Sequence, residues 1–549
     1  MAAEAEAIVT AGLRPDLFAT RGVLLGSRTL VIATLALLVL AGFGFRITSL
    51  SAEGLSEDEL NKLNAVADYR QNGLTAANGE HPMFMKATQT ASIIIAEKWN
   101  STGPGSAFYV APETALRLPS TIFGALTAVL IYLLVCELFG AEVALIAAAL
   151  WAFDPQAIGF NRIAKEDTFL LFFFLLGNIF WLRGQRAAES QTDRKPERYY
   201  WATAACLGAM MASKYLPQLI AISASYYWMF QALPETRWRL GKKRYLIFFA
   251  IMGATFLVLN PTVLLPETWR EMGLFAGQKR VGHDGYEFMG TLYSHRMTDW
   301  VNGIPWYFYF VFVAVKLPLL TFAGFVVGLP LLFRRKLGDG RYFLLLWMFV
   351  WAMTFVFPGG KFTRYLTVVL PAVLITAALG VHFAGRWLSD RIAPVRTALP
   401  LLLVLGTFWA TVSAAPHFRL YTNSLGGGLS KAGYYFPHDE FYDASLREVM
   451  AEIAARARQG AKVATETPGL AAYYGQRAGR GDLVCVSLSD SEAVKQLGEG
   501  DFVVDARGRR YFSNDALLNS LRSSDSVEFR VSLGSVESAN VYQLGHPIR

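Results

Sequence analysis

Cysteine is scarce: Cys136, Cys206 and Cys485 are the only three in 549 residues. An odd number with no ligand-like spacing supplies neither a disulfide framework nor a zinc site. Charge is scarce too, at 17% Asp, Glu, Lys and Arg, against about 25% in soluble domains. A disordered chain needs the opposite balance of high charge and low hydrophobicity, and a soluble globular enzyme has a different composition. No Gly-x-Gly-x-x-Gly follows a strand candidate, so no dinucleotide site is expected. The net charge of +8 lacks the clustering of a nucleic-acid footprint, because Lys and Arg sit in short patches between apolar runs. No nucleic-acid partner is expected.

What is abundant is apolar sequence, 53% of the chain. A helix needs about 20 apolar residues to cross a bilayer. Candidate spans run over 28–47, 116–138, 141–160, 167–183, 200–213, 215–231, 244–262, 305–333, 343–357, 361–385 and 397–415. The pattern predicts a polytopic α-helical membrane protein of about eleven spans, with 200–231 readable as two spans or a broken pair. The first span lacks the form of a cleavable signal peptide, because no small-residue cleavage site follows it. Basic residues concentrate in alternate loops, at 184–199, 232–243, 334–342 and 386–396. By the positive-inside rule these loops and the N-terminus, 1–27 with Arg14 and Arg21, are cytoplasmic. The loops 48–115 and 263–304 and the tail 417–549 then face outside. The expected location is the inner (plasma) membrane of a bacterium, with the tail periplasmic.

The tail is a different kind of chain. It carries 15 Lys and Arg against 16 Asp and Glu, so the positive charge belongs to the membrane part. Leu446, Val449, Met450 and Ile453 recur at helical spacing within 443–458. Strand candidates at 462–466, 483–488, 501–505, 527–533 and 539–544 alternate with helix candidates near 468–475, 490–498 and 514–522. Such alternation predicts a small extracytoplasmic α/β domain.

Polar residues gather at the outside ends of the spans. Ser56-Glu57-Asp58-Glu59 follows the first span. Ser56 can cap a helix whose dipole favours the carboxylates. A carboxylate placed there can also serve as a general base or hold a divalent cation. Glu80-His81-Pro82 with Lys86 opens a stretch, 83–98, that can lie along the interface. Its His81 reads equally well as a turn residue bonded to backbone. Arg117 opens the second span and can simply snorkel. The hairpin after Asp154-Pro155 crowds Asn161, Arg162, Lys165, Glu166 and Asp167 into seven positions, which suits a polar cavity. Lys214, Lys361 and Arg364 break the orientation bias and need a local partner, either a carboxylate or an anionic phosphate. His283, Asp284 and His295 are weak metal candidates without strict spacing. The aromatic residues around them suit an interfacial belt or a sugar-stacking surface.

The order of these pieces resembles the polyprenyl-phosphate-dependent glycosyltransferases of the C-type membrane fold, the group holding protein O-mannosyltransferases and lipid A aminoarabinose transferases. The resemblance covers about 28–385. It is carried by Asp58-Glu59, His81-Pro82 with Lys86, Arg117-Leu118-Pro119-Ser120 with Gly124, Asp154-Pro155, Arg162-Ile163 with Asp167, and Gly208 with Lys214. The family's His-Pro-Pro-Leu-Gly-Lys reads His-Pro-Met-Phe-Met-Lys here, and the β-trefoil insert of eukaryotic O-mannosyltransferases is absent. The resemblance implies a sugar donor on a polyprenyl monophosphate, a mannose-like sugar favoured, and a protein, lipid or glycan hydroxyl as acceptor, all within membrane lipid. Asp58 is then the base, with Glu59 beside it. Arg162, Lys214, Lys361 and Arg364 are candidates for the phosphate. Glu57, His81, Lys86, Arg117, Asp154, Asp167 and His295 are supporting residues. No cofactor is certain, a divalent metal being a candidate only.

Two other classes compete. A lipid-linked sugar flippase should show inverted repeats and mid-span polar residues, whereas the ionisable residues here keep to one face. An oligosaccharyltransferase-like enzyme with a pyrophosphate donor could use Glu57 and Glu59 on a metal, but no Trp-Trp-Asp triplet is present. An anchored binding module would not need eleven spans.

Overall fold

The computed structural model describes residues 28–189, 195–229, 242–277, 280–389, 392, 394–524 and 526–546. The N-terminal segment 1–27 and four arginines of the basic loops, Arg194, Arg237, Arg239 and Arg391, lie outside the described residues.

Eight helices set up the site. α1 (Arg28–Ile47) is followed by α2 (Glu57–Asn72) and α3 (Met83–Asn100), then by α4 (Pro112–Leu138), α5 (Ala141–Phe153) and α6 (Pro155–Asn161), and by α7 (Asp167–Glu189) and α8 (Glu197–Ser213). Among the described residues, five helices are long and apolar enough to cross a membrane: α1, α4, α7, Leu370–Ser389 and Val395–Ala414. The pair α5 and α6, bent by 59°, makes a sixth if taken as one span.

These helices do not by themselves make up the about eleven spans expected, and proline divides several of the apolar runs. Pro155 has no N–H to continue α5, and Asp154 caps the new helix through the Ala157 N–H at 2.9 Å. The stretch 305–333 is two helices, Phe308–Lys316 and Leu319–Leu331, parted at Leu317-Pro318. The stretch 361–385 begins with a 3₁₀ turn over Thr363–Val368, and its long helix starts only at Leu370.

The helices meet through small residues and buried polar ties. A Cβ on Gly328 would fall 1.9 Å from the Thr376 carbonyl, so glycine there lets Leu319–Leu331 lie directly against Leu370–Ser389. Buried Arg46 at the end of α1 donates to Asn161 Oδ1 at 2.9 Å and to the carbonyls of Trp151, Ala152 and Gly42. One guanidinium thus ties the first long helix to both arms of the bent pair.

The second loop contains a hairpin, β1 (Arg280–Phe288) with β2 (Thr291–Arg296). Its two turn residues, Met289 and Gly290, both have positive φ, the backbone that a two-residue hairpin turn requires. Gly290 meets this freely. The loop's composition did not announce a hairpin.

The tail follows its sequence pattern closely. β3 to β7 span Lys462–Thr465, Val484–Ser487, Phe502–Ala506, Phe529–Leu533 and Val536–Gln543, in the order β4-β3-β5-β7-β6. The first three are parallel, joined by helical crossovers, and the last two close the sheet antiparallel. Its core is shared. Leu446, Val449, Met450 and Val463 of the tail pack in one cluster with Leu55, Leu60, Val66 and Ile93 of the first loop.

Candidate active site

Local chemistry places the acidic triplet. Ser56 caps α2 as read from the sequence, and it does so in a full capping box: its hydroxyl accepts the Glu59 N–H while Glu59 accepts the Ser56 N–H at 2.9 Å. The box directs the three carboxylates to three different fates.

Glu59 turns inward and is wholly buried. Arg117 clamps it with Nε at 2.8 Å and a terminal nitrogen at 2.7 Å, and the Ala164 N–H adds a bond at 2.9 Å. The remaining Arg117 donors go to the carbonyls of Leu50, Glu53 and Gly54. Glu59 and Arg117 therefore bind the first loop to α4 and the 161–166 turn. Neither lines the cavity described next.

Asp58 faces a cavity of about 420 Å³, within the range of small-molecule sites. Its carboxylate lies deep in the protein yet is 36% exposed to that space. Oδ2 is crowded: Lys165 Nζ lies at 2.5 Å, the Tyr442 hydroxyl donates at 2.7 Å, and Arg364 stands at 3.7 Å. Burial pushes its pKa up, but Lys165, Arg364 and Lys62 prevail and hold it well below the usual carboxylate range. Asp58 is thus a carboxylate at any ordinary pH. Burial also brings Lys165 down to about 8, against the pull of Asp58.

Two further cations stand on the same wall. Lys214, in the break after α8, pairs with Asp167 Oδ1 at 2.6 Å. Arg364 is framed by aromatic rings, 3.9 Å from Phe362 and 5.8 Å from both Tyr365 and Tyr442. Lys214 lies 5.1 Å from the same Tyr365 ring. Among the described residues the one acid within salt-bridge reach of Arg364 is Asp58, at 3.7 Å, so the fork keeps donors for an anion. Such a fork suits phosphate oxygens.

The other candidates divide between the cavity and its scaffold. Glu57 and His81 line the cavity, as do His283 and His295. Burial drives His81 down to about 3, so it is neutral. Lys86 points away: its ammonium bonds the carbonyls of Ala77, Asn78 and His81 and shapes the loop before α3. Asp154 is a helix cap.

Arg162 and Lys361, expected at the phosphate, both turn their donors to backbone carbonyls. Arg162 spends its terminal nitrogens on the carbonyls of Phe45, Arg46, Thr48 and Ser49. Lys361 bonds the Ile304 carbonyl at 2.7 Å and that of Pro358. Arg162 satisfies carbonyls at the C-terminal end of α1, Lys361 satisfies those of two loop residues, and neither lines the cavity.

The metal candidates diverge in the same way. Asp284 accepts the N–H groups of Phe512 and Ser513, His283 stacks on Tyr511 at 4.1 Å, and His295 bonds the Lys361 backbone at 3.0 Å. Among the described residues no group of three or more His, Cys, Asp or Glu could hold a metal ion.

Sequence reasoning did not single out the far wall, which the tail provides. His438, Tyr442, Asp443, Arg509 and Tyr511 all line the cavity. Arg509 pairs with both oxygens of Asp443, and Asp443 Oδ2 accepts the Glu57 N–H at 3.1 Å. These residues carry no motif, and their meeting with α2 joins segments far apart in the chain.

Residues 107–263 match the family model of dolichyl-phosphate-mannose-protein mannosyltransferases. No curated protein matches this chain. Among solved structures, the chain resembles ArnT from Cupriavidus metallidurans in the apo state, with a TM-score of 0.51 and 13% identity over 94% of this chain and 97% of that one. It also resembles the oligosaccharyltransferase AglB from Archaeoglobus fulgidus, solved with an inhibitory peptide and a dolichol-phosphate, with a TM-score of 0.51 and 13% identity over 87% of this chain and 69% of that one.

Proposed function

We propose that this chain, whose signature and fold together support membership of the polyprenyl-phosphate-dependent C-type membrane glycosyltransferases, moves a sugar from a polyprenyl monophosphate to an acceptor hydroxyl with inversion. A mannose-like sugar is favoured, because the signature over 107–263 is that of mannosyltransferases. The acceptor is a hydroxyl on protein, lipid or glycan at the outer face of the membrane. In a bacterium this is the periplasmic face, where the cavity and the tail would lie.

The observation that carries the proposal is one cavity holding an ionised carboxylate beside cations with donors to spare. Asp58 accepts the acceptor's proton as its oxygen attacks the anomeric carbon. The bond from that carbon to the phosphate oxygen breaks, and its electron pair leaves with the polyprenyl phosphate. Negative charge therefore grows on the phosphate, where Lys214 and Arg364 are already ordered to receive it. Asp167 keeps Lys214 charged and aimed. Lys165 and Tyr442 hold one oxygen of Asp58, and the other is left for the acceptor. The Lys165 ammonium makes Asp58 a weaker base while fixing it in place. The arrangement therefore relies on leaving-group stabilisation and positioning more than on basicity.

The test uses purified protein in lipid vesicles with a radiolabelled polyprenyl-phosphate mannose and peptide, glycolipid and glycan acceptors. Transfer should appear for one acceptor class, and NMR should show the opposite anomeric configuration in the product. Transfer from a polyprenyl pyrophosphate but not from the monophosphate would favour the oligosaccharyltransferase-like reading instead. Vesicle-to-vesicle movement of the lipid-linked sugar without transfer would favour a flippase.

A further inference from the structure

The tail reaches the candidate base through a short strut with an unusual backbone. Tyr442 and Asp443 are consecutive non-glycine residues with φ of +48° and +60°, a left-handed backbone that aspartate tolerates and tyrosine disfavours. Such geometry persists only where the surroundings over-determine it, and it gathers at functional sites.

The surroundings do so here. Asp443 is held by both Nε and a terminal nitrogen of Arg509, which follows β5. The same carboxylate accepts the Glu57 N–H at the start of α2. The strained backbone turns the Tyr442 hydroxyl onto Asp58 Oδ2 at 2.7 Å. Tyr442 is only 5% exposed, and its ring lies 5.8 Å from Arg364 and 5.3 Å from Arg419. The tail domain thus grips the first turn of α2 at two successive residues.

We infer that Tyr442 is a positioning residue for the transfer reaction, and that the strut Arg509–Asp443–Tyr442 makes the tail domain a working wall of the active site. The inference rests on the transferase reading above. With Tyr442 and Lys165 both on Oδ2, the carboxylate cannot rotate, and Oδ1 is presented to the acceptor hydroxyl. Without the tyrosine hydroxyl, Lys165 alone can pull the carboxylate out of line.

The test is Tyr442→Phe, which keeps the ring and its stacking. In the transfer assay kcat should fall roughly ten- to a hundredfold, the effect of one hydrogen bond to a charged group, with the KM for the lipid donor unchanged. The acid limb of kcat should move to higher pH, because a donor that favoured the ionised form is gone. The other groups facing Asp58 remain in place: Lys165 and Glu166 from the hairpin turn, Arg364 and Tyr365, Lys62 and Glu57 on its own helix, and His81. A merely structural tyrosine would leave that limb where it was.

A substrate-free arm separates the two readings. Thermal unfolding is compared for wild type, Tyr442→Phe, Asp58→Asn and the double variant. Tyr442→Phe should lower the melting temperature when Asp58 is intact, and clearly less when the chain already carries Asp58→Asn. Additive effects in that cycle, or wild-type kcat and pH profile for Tyr442→Phe, overturn the inference. A wild-type protein that transfers nothing overturns the transferase reading, and the cycle then judges the strut alone.

Discussion

Replacing Glu59 by Gln separates a framework carboxylate from a catalytic one. Glu59 accepts five hydrogen bonds, two from Arg117, one from the Ala164 N–H and two from the N–H and hydroxyl of Ser56. The amide keeps the shape but removes the charge opposite a buried guanidinium. One oxygen becomes an NH₂ group that faces donors. Breaking a buried pair on one side in this way costs about 3–5 kcal/mol. The melting temperature of the detergent-solubilised protein, followed by tryptophan fluorescence, should fall by several degrees. The loss should shrink when Arg117 is replaced by Met in the same chain, since the unpaired charge then goes too. The acid dependence has a definite sign. Burial raises the Glu59 pKa, but Arg117 and the backbone donors bring it below its ordinary value. The pair's contribution is therefore full above about pH 4.3, the unfolded value, and fades as the pH falls through the folded value. Transfer per folded molecule, measured well below the melting point, should stay within a few fold of wild type. A Glu59→Gln protein that is as stable as wild type yet loses transfer a thousandfold would refute the division of labour between Glu59 and Asp58.

Other outcomes follow from the same geometry. Lys214→Ala should raise the KM for the lipid donor and lower kcat, together by about 10²–10³ in kcat/KM, through loss of one preorganised cation; steady-state kinetics reads the split. Arg364→Lys keeps the charge but loses the fork and the stacking on Phe362, so donor affinity should fall about tenfold, as read by isothermal titration with polyprenyl phosphate. Because Asp58 is held ionised, kcat should stay flat from about pH 7.5 down to about 5, and Lys165→Met should bring an acid limb into that range. Arg162→Lys should lower stability, by leaving carbonyls at the end of α1 unbonded, while the donor KM stays at the wild-type value.

The residue pattern made much of this legible. The tail's five strands fall close to where alternation and β-branched runs predicted them, because local patterning decides them. Asp58, His81, Asp167, Lys214 and Arg364 were conspicuous as charge at the ends of apolar runs, and all five line one cavity. The same cue also picked out Arg162 and Lys361, whose donors serve backbone carbonyls. Nothing in a sequence tells a phosphate-seeking cation from one that closes a helix end. Lys165 lay within the crowded turn without a distinguishing mark. Tyr442, Asp443 and Arg509 were not anticipated as site residues. Their place depends on the tail docking on the first loop through a shared core, and on a left-handed backbone that tyrosine does not advertise. Hydropathy likewise registers apolar length but not where Pro155 and Pro318 divide it.

The most direct measurement is sugar transfer from a radiolabelled polyprenyl-phosphate mannose by wild type and by Asp58→Asn, with folded fraction matched by thermal unfolding and donor binding measured on both. The expected result is donor binding within a few fold and turnover reduced by at least about 10²–10⁴, the range for loss of a general base. An Asp58→Asn protein that binds donor and turns over at the wild-type rate would contradict the assignment of Asp58 as the group that accepts the acceptor's proton.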